Sequence, residues 1–379
     1  MAKQGYKIID CDIHVMEPRN LWEQHIDPKF RDRAPTVAPI GDTGRSSWQC
    51  EGKFFPAYTD HPLRAALNKA RYDQTDARFT RFNAARERGY DPQSQIDAMD
   101  DEGIDVGIAF RTVGSHVIAM DGMDGEFAAA LCRAFNRWLA ERSTHNPERL
   151  KASAVVPVQD IRLAVQEAEH AVGELGHIAI VLPSHRVEGR NWYDPYYDPL
   201  WQAACDLGVP VAFHSMQGAY QEHIGNRFLD NLTMMHATGH AMEHMMAMGS
   251  LITGGTFDRY PKLKAAFLEG TCGWTPWWLW RLDDDYEKIG SIADRVKLQD
   301  TPSGYFRRHC YVALEPGEAL VTKFIESLGD DNLVVSSDWP HDDSSYPHAM
   351  DIFLGLEGLS DESRRKILWD NSAALYRVS

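Results

Sequence analysis

Short apolar runs rich in β-branched residues recur along this chain, and between them the apolar positions return every three or four residues. Eight runs have the length of a strand: 8–14, 104–110, 151–158, 177–183, 209–215, 263–269, 310–315 and 332–338. Strand runs alternating with helical stretches predict parallel β/α units, whose crossover helices cover the sheet. The helices carry start signals. Asp91-Pro92 and Asp198-Pro199 each place a capping carboxylate before a proline suited to the first helical turn. From Glu126 to Arg142, the residues Phe127, Leu131, Phe135, Trp138 and Leu139 fall at helical spacing. Ser360-Asp361-Glu362 opens a last helix that turns Ile367, Leu368, Leu375 and Tyr376 inward.

Eight β/α units form either an open doubly wound sheet or a closed (β/α)8 barrel. A dinucleotide fold would follow its first strand with a glycine-rich turn, whereas this strand reads Asp10-Cys11-Asp12-Ile13-His14, which favours the barrel. With 379 residues, the chain has room for one barrel domain, 1–379, carrying an insertion. About 90 residues separate the first two strands, and they hold Trp48, Phe54, Phe55, Pro56 and Tyr58 rather than one helix. Loops that long in compact domains are usually functional. Residues 16–90 are therefore expected to form a lid over the barrel mouth or an oligomerisation arm.

Composition narrows the partners. Hydrophobic residues at 44% allow a large core, and a net charge of −16 argues against nucleic acid or an anionic membrane as partner. Six cysteines without a CxxC pair suit reduced thiols, and neither a leader nor a membrane span is visible, so the cytoplasm is the expected compartment. What remains is a small-molecule substrate.

The predicted strands repeatedly end in residues that bind metals. The first ends in Asp12-x-His14, whose i, i+2 spacing points both side chains the same way. The fifth ends in His214, the sixth in Glu269, and the eighth in Asp338, followed by Trp339-Pro340-His341. A lone strand-end histidine is ordinarily a packed residue, and a lone Asp338 could cap a turn. In a barrel, however, these ends converge on one mouth, where burying several charges without a cation would cost several kcal/mol each. His236, His240 and His244 share one helix face, so His236 or His240 could ligate a second ion bridged by Glu269, or simply pack. Arg111, His185 and Arg186 follow the second and fourth strands and are candidates for holding a substrate carboxylate. The cluster Trp274, Trp277, Trp278 and Trp280 is expected to pack a helix into the core.

Asp12-x-His14-x-x-Glu17-Pro18, His214, Tyr260-Pro261-Lys262-Leu263 through Glu269-Gly270 to Gly273-Trp274, Ser337-Asp338-Trp339-Pro340-His341 and Ile367-Leu368-Trp369-Asp370-Asn371 together resemble the amidohydrolase-related family. That family includes the aminocarboxymuconate-semialdehyde and resorcylate decarboxylases. The resemblance spans about residues 8–377 and implies a (β/α)8 barrel with metal ligands at Asp12, His14, His214 and Asp338. Two positions depart from the common pattern. Asp12 replaces the first histidine of His-x-His, and Glu269 stands where relatives carry an acid/base histidine. Carboxylates in place of imidazoles shift preference toward Mn or Fe, with Zn also compatible, at one or two ions per chain.

The resulting expectation is a metal-dependent hydrolase or non-oxidative decarboxylase of a small organic substrate. Asp338, Glu269 and His341 are its acid/base candidates. The alternative is a dinuclear Mn/Fe or Fe/Fe oxygenase component hydroxylating a small amine or amino acid. A third reading is an inactive metal-binding subunit, which the intact ligand set argues against. A homo-oligomer is expected, and a hetero-oligomer is compatible.

Overall fold

The structure, a computed structural model, describes residues 3–379 except 57–60, 63–65, 67–68, 70–76, 115–117, 119 and 216–222. β1 (Ile9–His14) begins the barrel. In the insertion that follows, β2 (Thr36–Pro39), β3 (Ser46–Cys50) and β4 (Lys53–Phe55) make a small antiparallel sheet. The barrel resumes with β5 (Val106–Phe110), then β6 (Leu150–Ala152) and β7 (Ala154–Val155), one strand interrupted at Ser153. It continues through β8 (Ile180–Pro183), β9 (Val211–His214), β10 (Ala265–Leu268), β11 (Cys310–Leu314) and β12 (Leu333–Val335). Neighbours pair in parallel from β1 through β5 to β6 and from β7 through β12. The ring shuts beyond β12, where Asp338 N donates to Asp12 O at 3.3 Å and His14 N to Trp339 O at 2.6 Å. This is a (β/α)8 barrel, and its strands lie within the runs read from the hydrophobic pattern apart from Leu150, which starts β6 one residue early; the insertion's β2, β3 and β4 fall outside those runs.

Alternation along the strands explains both the core and the mouth. Phe213, Phe267, Leu314 and Val335 join the helix residues Trp201, Leu251, Phe306 and Phe324 in one cluster. The intervening Ala212, Ala266, Ala313 and Val334 belong to a second cluster. His214 shares the parity of Ala212, so it points the same way at the strand's C-terminal end. Glu269 has the opposite parity, but its backbone turns left-handed (φ 58°), and this carries its carboxylate into the mouth.

The helix starts follow their caps, with one correction. Asp91 accepts from Ser94 N as expected. Asp198 does not cap: Tyr197 holds that position, and Asp198 pairs with Arg259 at 3.1 Å. A short helical turn, Pro195–Tyr197, runs into the helix there, so no free N-terminus is left for the carboxylate. Ser360 caps the last helical segment through Ser363 N.

The described part of the insertion packs beside the helix Gly125–Ser143. Phe55, Cys50, Trp22 and Phe30 are buried in the cluster containing Phe127 and Phe135, with Trp48 against its edge. Its far end reaches the mouth, where the Arg81 guanidinium donates to the carbonyls of Asp342 and Ser344 at 2.8 and 2.7 Å. Tyr58 lies outside the described residues. All six cysteines are free, and among the described residues no helix is long and apolar enough to cross a membrane.

Candidate metal centre

Four strand ends deliver their polar side chains to one point. His14 Nε2 lies 3.4 Å from Asp12 Oδ1, 3.2 Å from His214 Nε2 and 3.3 Å from Asp338 Oδ1. His214 Nε2 is 3.3 Å from Asp12 Oδ2 and 2.9 Å from Glu269 Oε2. His341 Nδ1 closes the cluster at 2.7 Å from Asp338 Oδ1. Two overlapping groups have the spacing to hold a metal: Asp12, His14, His214 and Glu269, or His14, Glu269, Asp338 and His341.

The donors fit a cation better than they fit one another. Asp12 is fully buried, yet neither of its oxygens accepts a hydrogen bond. A buried carboxylate left this way costs several kcal/mol. Ligands about 2.1 Å from one ion lie about 3.0–3.4 Å apart, the edges of an octahedron or tetrahedron. Four of the donor separations fall at 3.2–3.4 Å and His214 to Glu269 is 2.9 Å, whereas His14 to Glu269 is wider at 3.8 Å.

Surrounding residues fix the rings. His14 Nδ1 faces Arg111 O at 2.8 Å, so this imidazole gives its N–H to a carbonyl and turns Nε2 to the cluster; His214 Nδ1 lies 3.0 Å from Ser215 O and 3.1 Å from the Arg111 guanidinium, which leaves its Nε2 facing the cluster too. Asp10 accepts from Asp12 N and Ser337 N, both at 3.1 Å, and from the Ser337 hydroxyl, tying β1 to the end of β12. Glu17 accepts from Thr112 N and Val113 N at 3.0 Å and Gly114 N at 2.9 Å, anchoring the loop after β5.

Electrostatics is concentrated here. Burial and Arg111 both push His214 down, but Asp12 and Glu269 lift it to about 9. Burial likewise opposes the charge on His341, and Asp338 with Glu269 raises it to about 10. Without a metal, then, protons on two imidazoles balance the carboxylates, a role a divalent cation can take over.

His240 and His244 contact the Glu269 and Leu268 carbonyls through Nδ1 and Nε2. His236 stacks on His240 at 4.2 Å and pairs with Asp343 at 2.9 Å. Among the described residues neither His236 nor His240 joins either ligand group. Arg111 turns inward, donating to His214 O at 3.3 Å and Ser215 O at 3.2 Å. His185 is buried edge-on to His223 at 5.5 Å. Asp121, which burial pushes up, feels the opposing charge of Arg186. A cavity of about 250 Å³ adjoins the cluster, lined by Glu269, Asp338, Thr271, His236, Glu315 and Asp343.

Sequence reasoning gave no role to Asp10, or to Glu17 beyond its place in the motif. Asp10 carried a signal in its spacing from Asp12. Glu17 could be recognised as an anchor only once the β5 loop was folded over it.

A family profile described as Amidohydrolase matches residues 9–378. The chain is 28% identical over 301 residues to the gamma-resorcylate decarboxylase of Polaromonas sp. (strain JS666 / ATCC BAA-500), covering 75% of this chain and 87% of that one. The crystal structure of an amidohydrolase from Mycobacterium avium subsp. paratuberculosis K-10 superposes with a TM-score of 0.77 at 23% identity, covering 98% and 99% of the two chains. A dihydroxybenzoic acid decarboxylase from Polaromonas sp. JS666, solved with bound manganese and the inhibitor 2-nitroresorcinol, gives 0.66 at 21% identity, covering 98% and 97%. The oxygenase alternative draws no support from these similarities.

Proposed function

This chain belongs to the amidohydrolase family, and on that premise we propose that it is a manganese-dependent, non-oxidative decarboxylase of a small aromatic carboxylic acid. The observation that carries the reading is the Asp12 carboxylate, fully buried without a hydrogen bond and ringed by His14 and His214 Nε2 at 3.3–3.4 Å. The manganese and the phenolic acid substrate of the similar decarboxylases point the same way.

We assign Asp12, His14, His214 and Asp338 as ligands, with Glu269 completing the shell. Both candidate groups use His14 Nε2, and one imidazole nitrogen binds one cation, which favours a single ion. When bound, that cation supplies Lewis acidity toward a substrate oxygen. His341, held by Asp338, is the proton donor. As the carbon–carbon bond to the departing CO₂ breaks, the electron pair stays on the substrate carbon and takes the His341 proton. Arg111 positions His214, His240 supports the Glu269 turn, and His185 and Arg186 remain candidates for the outer substrate contacts. Residues 16–90 serve as the lid, tied to the mouth through Arg81. Six free cysteines suit the cytoplasm.

The test is turnover of 2,6-dihydroxybenzoate and related hydroxybenzoates by protein stripped of metal and reloaded with Mn²⁺. Manganese-dependent CO₂ release without O₂ consumption is expected. A carboxylate product carrying ¹⁸O from water, formed from ester, lactone or amide analogues in place of CO₂ release, would move the assignment to a hydrolase.

A further inference from the structure

Residues 269–274 join the end of β10 to the helix Thr275–Asp285, and their path aims Glu269. Glu269 and Thr271 are both left-handed, at φ 58° and 59°, a conformation uncommon for residues with a side chain and held only where neighbouring contacts fix it. The carbonyl side of this turn has three such contacts. His244 Nε2 lies 2.6 Å from Leu268 O, His240 Nδ1 lies 2.5 Å from Glu269 O, and the Trp274 indole N–H donates to Gly270 O at 2.8 Å. Trp274 thus packs inward, as expected for its whole cluster, whereas Trp277 and Trp280 face outward. The amide side is held from the neighbouring strand. After β11 the chain turns, with Glu318 N donating to Glu315 O at 3.0 Å, and the Glu318 carboxylate reaches back to the turn. Its two oxygens accept from Cys272 N at 3.0 and 2.9 Å, and Oε1 accepts from Gly273 N at 2.7 Å. Gly273 permits this approach, because a Cβ there would stand 3.0 Å from Glu318 Oε1 and 2.5 Å from Leu320.

We propose that Glu318 is the positioning residue that aims Glu269 at the metal centre, a role that rests on Glu269 completing the ligand shell. Among the described residues Glu318 joins neither ligand group, so it acts through Glu269 and not on the ion. Both left-handed residues lie between Leu268 O, fixed by His244, and Cys272 N, fixed by Glu318. An ionised acceptor makes these amide contacts stronger than neutral ones. Without the carboxylate only the carbonyl side stays fixed. Thr271 and then Glu269 can relax toward the usual backbone regions, which swings the Glu269 carboxylate from its place 2.9 Å from His214 Nε2. Thr271 also lines the cavity beside the cluster, so the same staple sets part of the cavity wall. The opposite rim uses the same device. Glu17, just after β1, accepts from the amides of Thr112, Val113 and Gly114 after β5, and a Cβ at Gly114 would lie 3.3 Å from Glu17 Oε1. In both cases a carboxylate following one strand holds the loop of the strand paired with it.

The test is a double-mutant cycle in the full chain, with Mn²⁺ affinity read from the paramagnetic resonance signal of the free ion. Glu318→Gln and Glu318→Asp are each made alone and together with Glu269→Gln, and folding is checked by the far-ultraviolet spectrum in chelator. Glu318→Asp keeps the charge, so a long-range electrostatic effect on the cation cannot imitate the result. Each Glu318 variant alone is expected to weaken Mn²⁺ binding about 10–100-fold, the usual cost of losing a group that orients a ligand. In the Glu269→Gln background the same changes are expected to alter affinity by no more than about twofold, because the ligand they would misplace is gone. Glu102→Gln is the control. Glu102 accepts from Ala349 N at 2.9 Å and Met350 N at 3.0 Å outside both ligand groups, so its loss is expected to lower the melting temperature and leave Mn²⁺ affinity unchanged. Folded Glu318 variants with wild-type affinity would overturn the proposal. So would variants that weaken binding equally with and without Glu269, or a Glu102→Gln control that weakens it as much. Wild-type affinity in Glu269→Gln itself would overturn the ligand assignment, and the proposal with it.

Discussion

Replacing Asp12 by asparagine separates metal binding from folding. Asparagine keeps the shape and removes the charge. Because neither Asp12 oxygen accepts a hydrogen bond, no contact holding the metal-free fold is lost apart from proximity to protonated His214. The metal-free melting temperature should therefore not fall by more than about 2 °C, and relief of the buried charge can raise it. Loss of residues that merely orient ligands weakens metal sites about 10–100-fold, so a direct ligand should cost at least about 100-fold. With Mn²⁺ at about 100 times the wild-type dissociation constant, wild-type protein gains about 2.7 kcal/mol and the variant about 0.4 kcal/mol. For a chain of this size those gains correspond to shifts of about 3–4 °C and about 0.5 °C. Paired thermal melts in chelator and in Mn²⁺ read both quantities. Equal metal-induced shifts in the two proteins would refute the ligand assignment. A variant destabilised by many degrees in chelator would show that Asp12 is a structural residue.

His341→Gln should retain one metal equivalent and lose about 10²–10⁴-fold in turnover, measured as CO₂ release, because it removes the proton donor but not a ligand. Glu269→Gln should lose both, since His214 lies 2.9 Å from its carboxylate; unchanged metal content would make Glu269 an acid/base residue instead. Metal affinity should rise with pH up to about 9, because the cation displaces the proton that His214 holds below its raised pKa. Pairs of calorimetric titrations in buffers of different ionisation enthalpy measure that release. Asn136→Ala strips Val155 N, Val155 O and the Glu167 carboxylate of buried hydrogen bonds, and should cost about 2–4 kcal/mol in urea unfolding.

The barrel was legible because alternating strand runs and helical spacing are local signals, and the first strand lacked the glycine turn of the competing fold. The convergence of these side chains was legible because barrel closure turns strand order into proximity: Asp12 and His14 on β1, His214 at the end of β9 and Asp338 just beyond β12 come from distant segments and meet at one mouth. Aim was not legible. Glu269 enters the mouth through a left-handed turn, which residue type alone does not announce. Arg111 looked free for substrate because nothing in the sequence shows it beneath His214. The tryptophans read as core because their spacing is helical on either face, and only packing shows which face is covered. Asp198 lost its cap to a helical turn that precedes it by a single register.

The position of a single bound ion decides the ligand assignment. Crystals of protein grown with Mn²⁺, measured on both sides of the manganese edge, should show a single anomalous peak per chain among Asp12, His14, His214 and Asp338, at about 2.0–2.3 Å from their donor atoms. A peak elsewhere, or two peaks with the second held by His236 and His240, would contradict it.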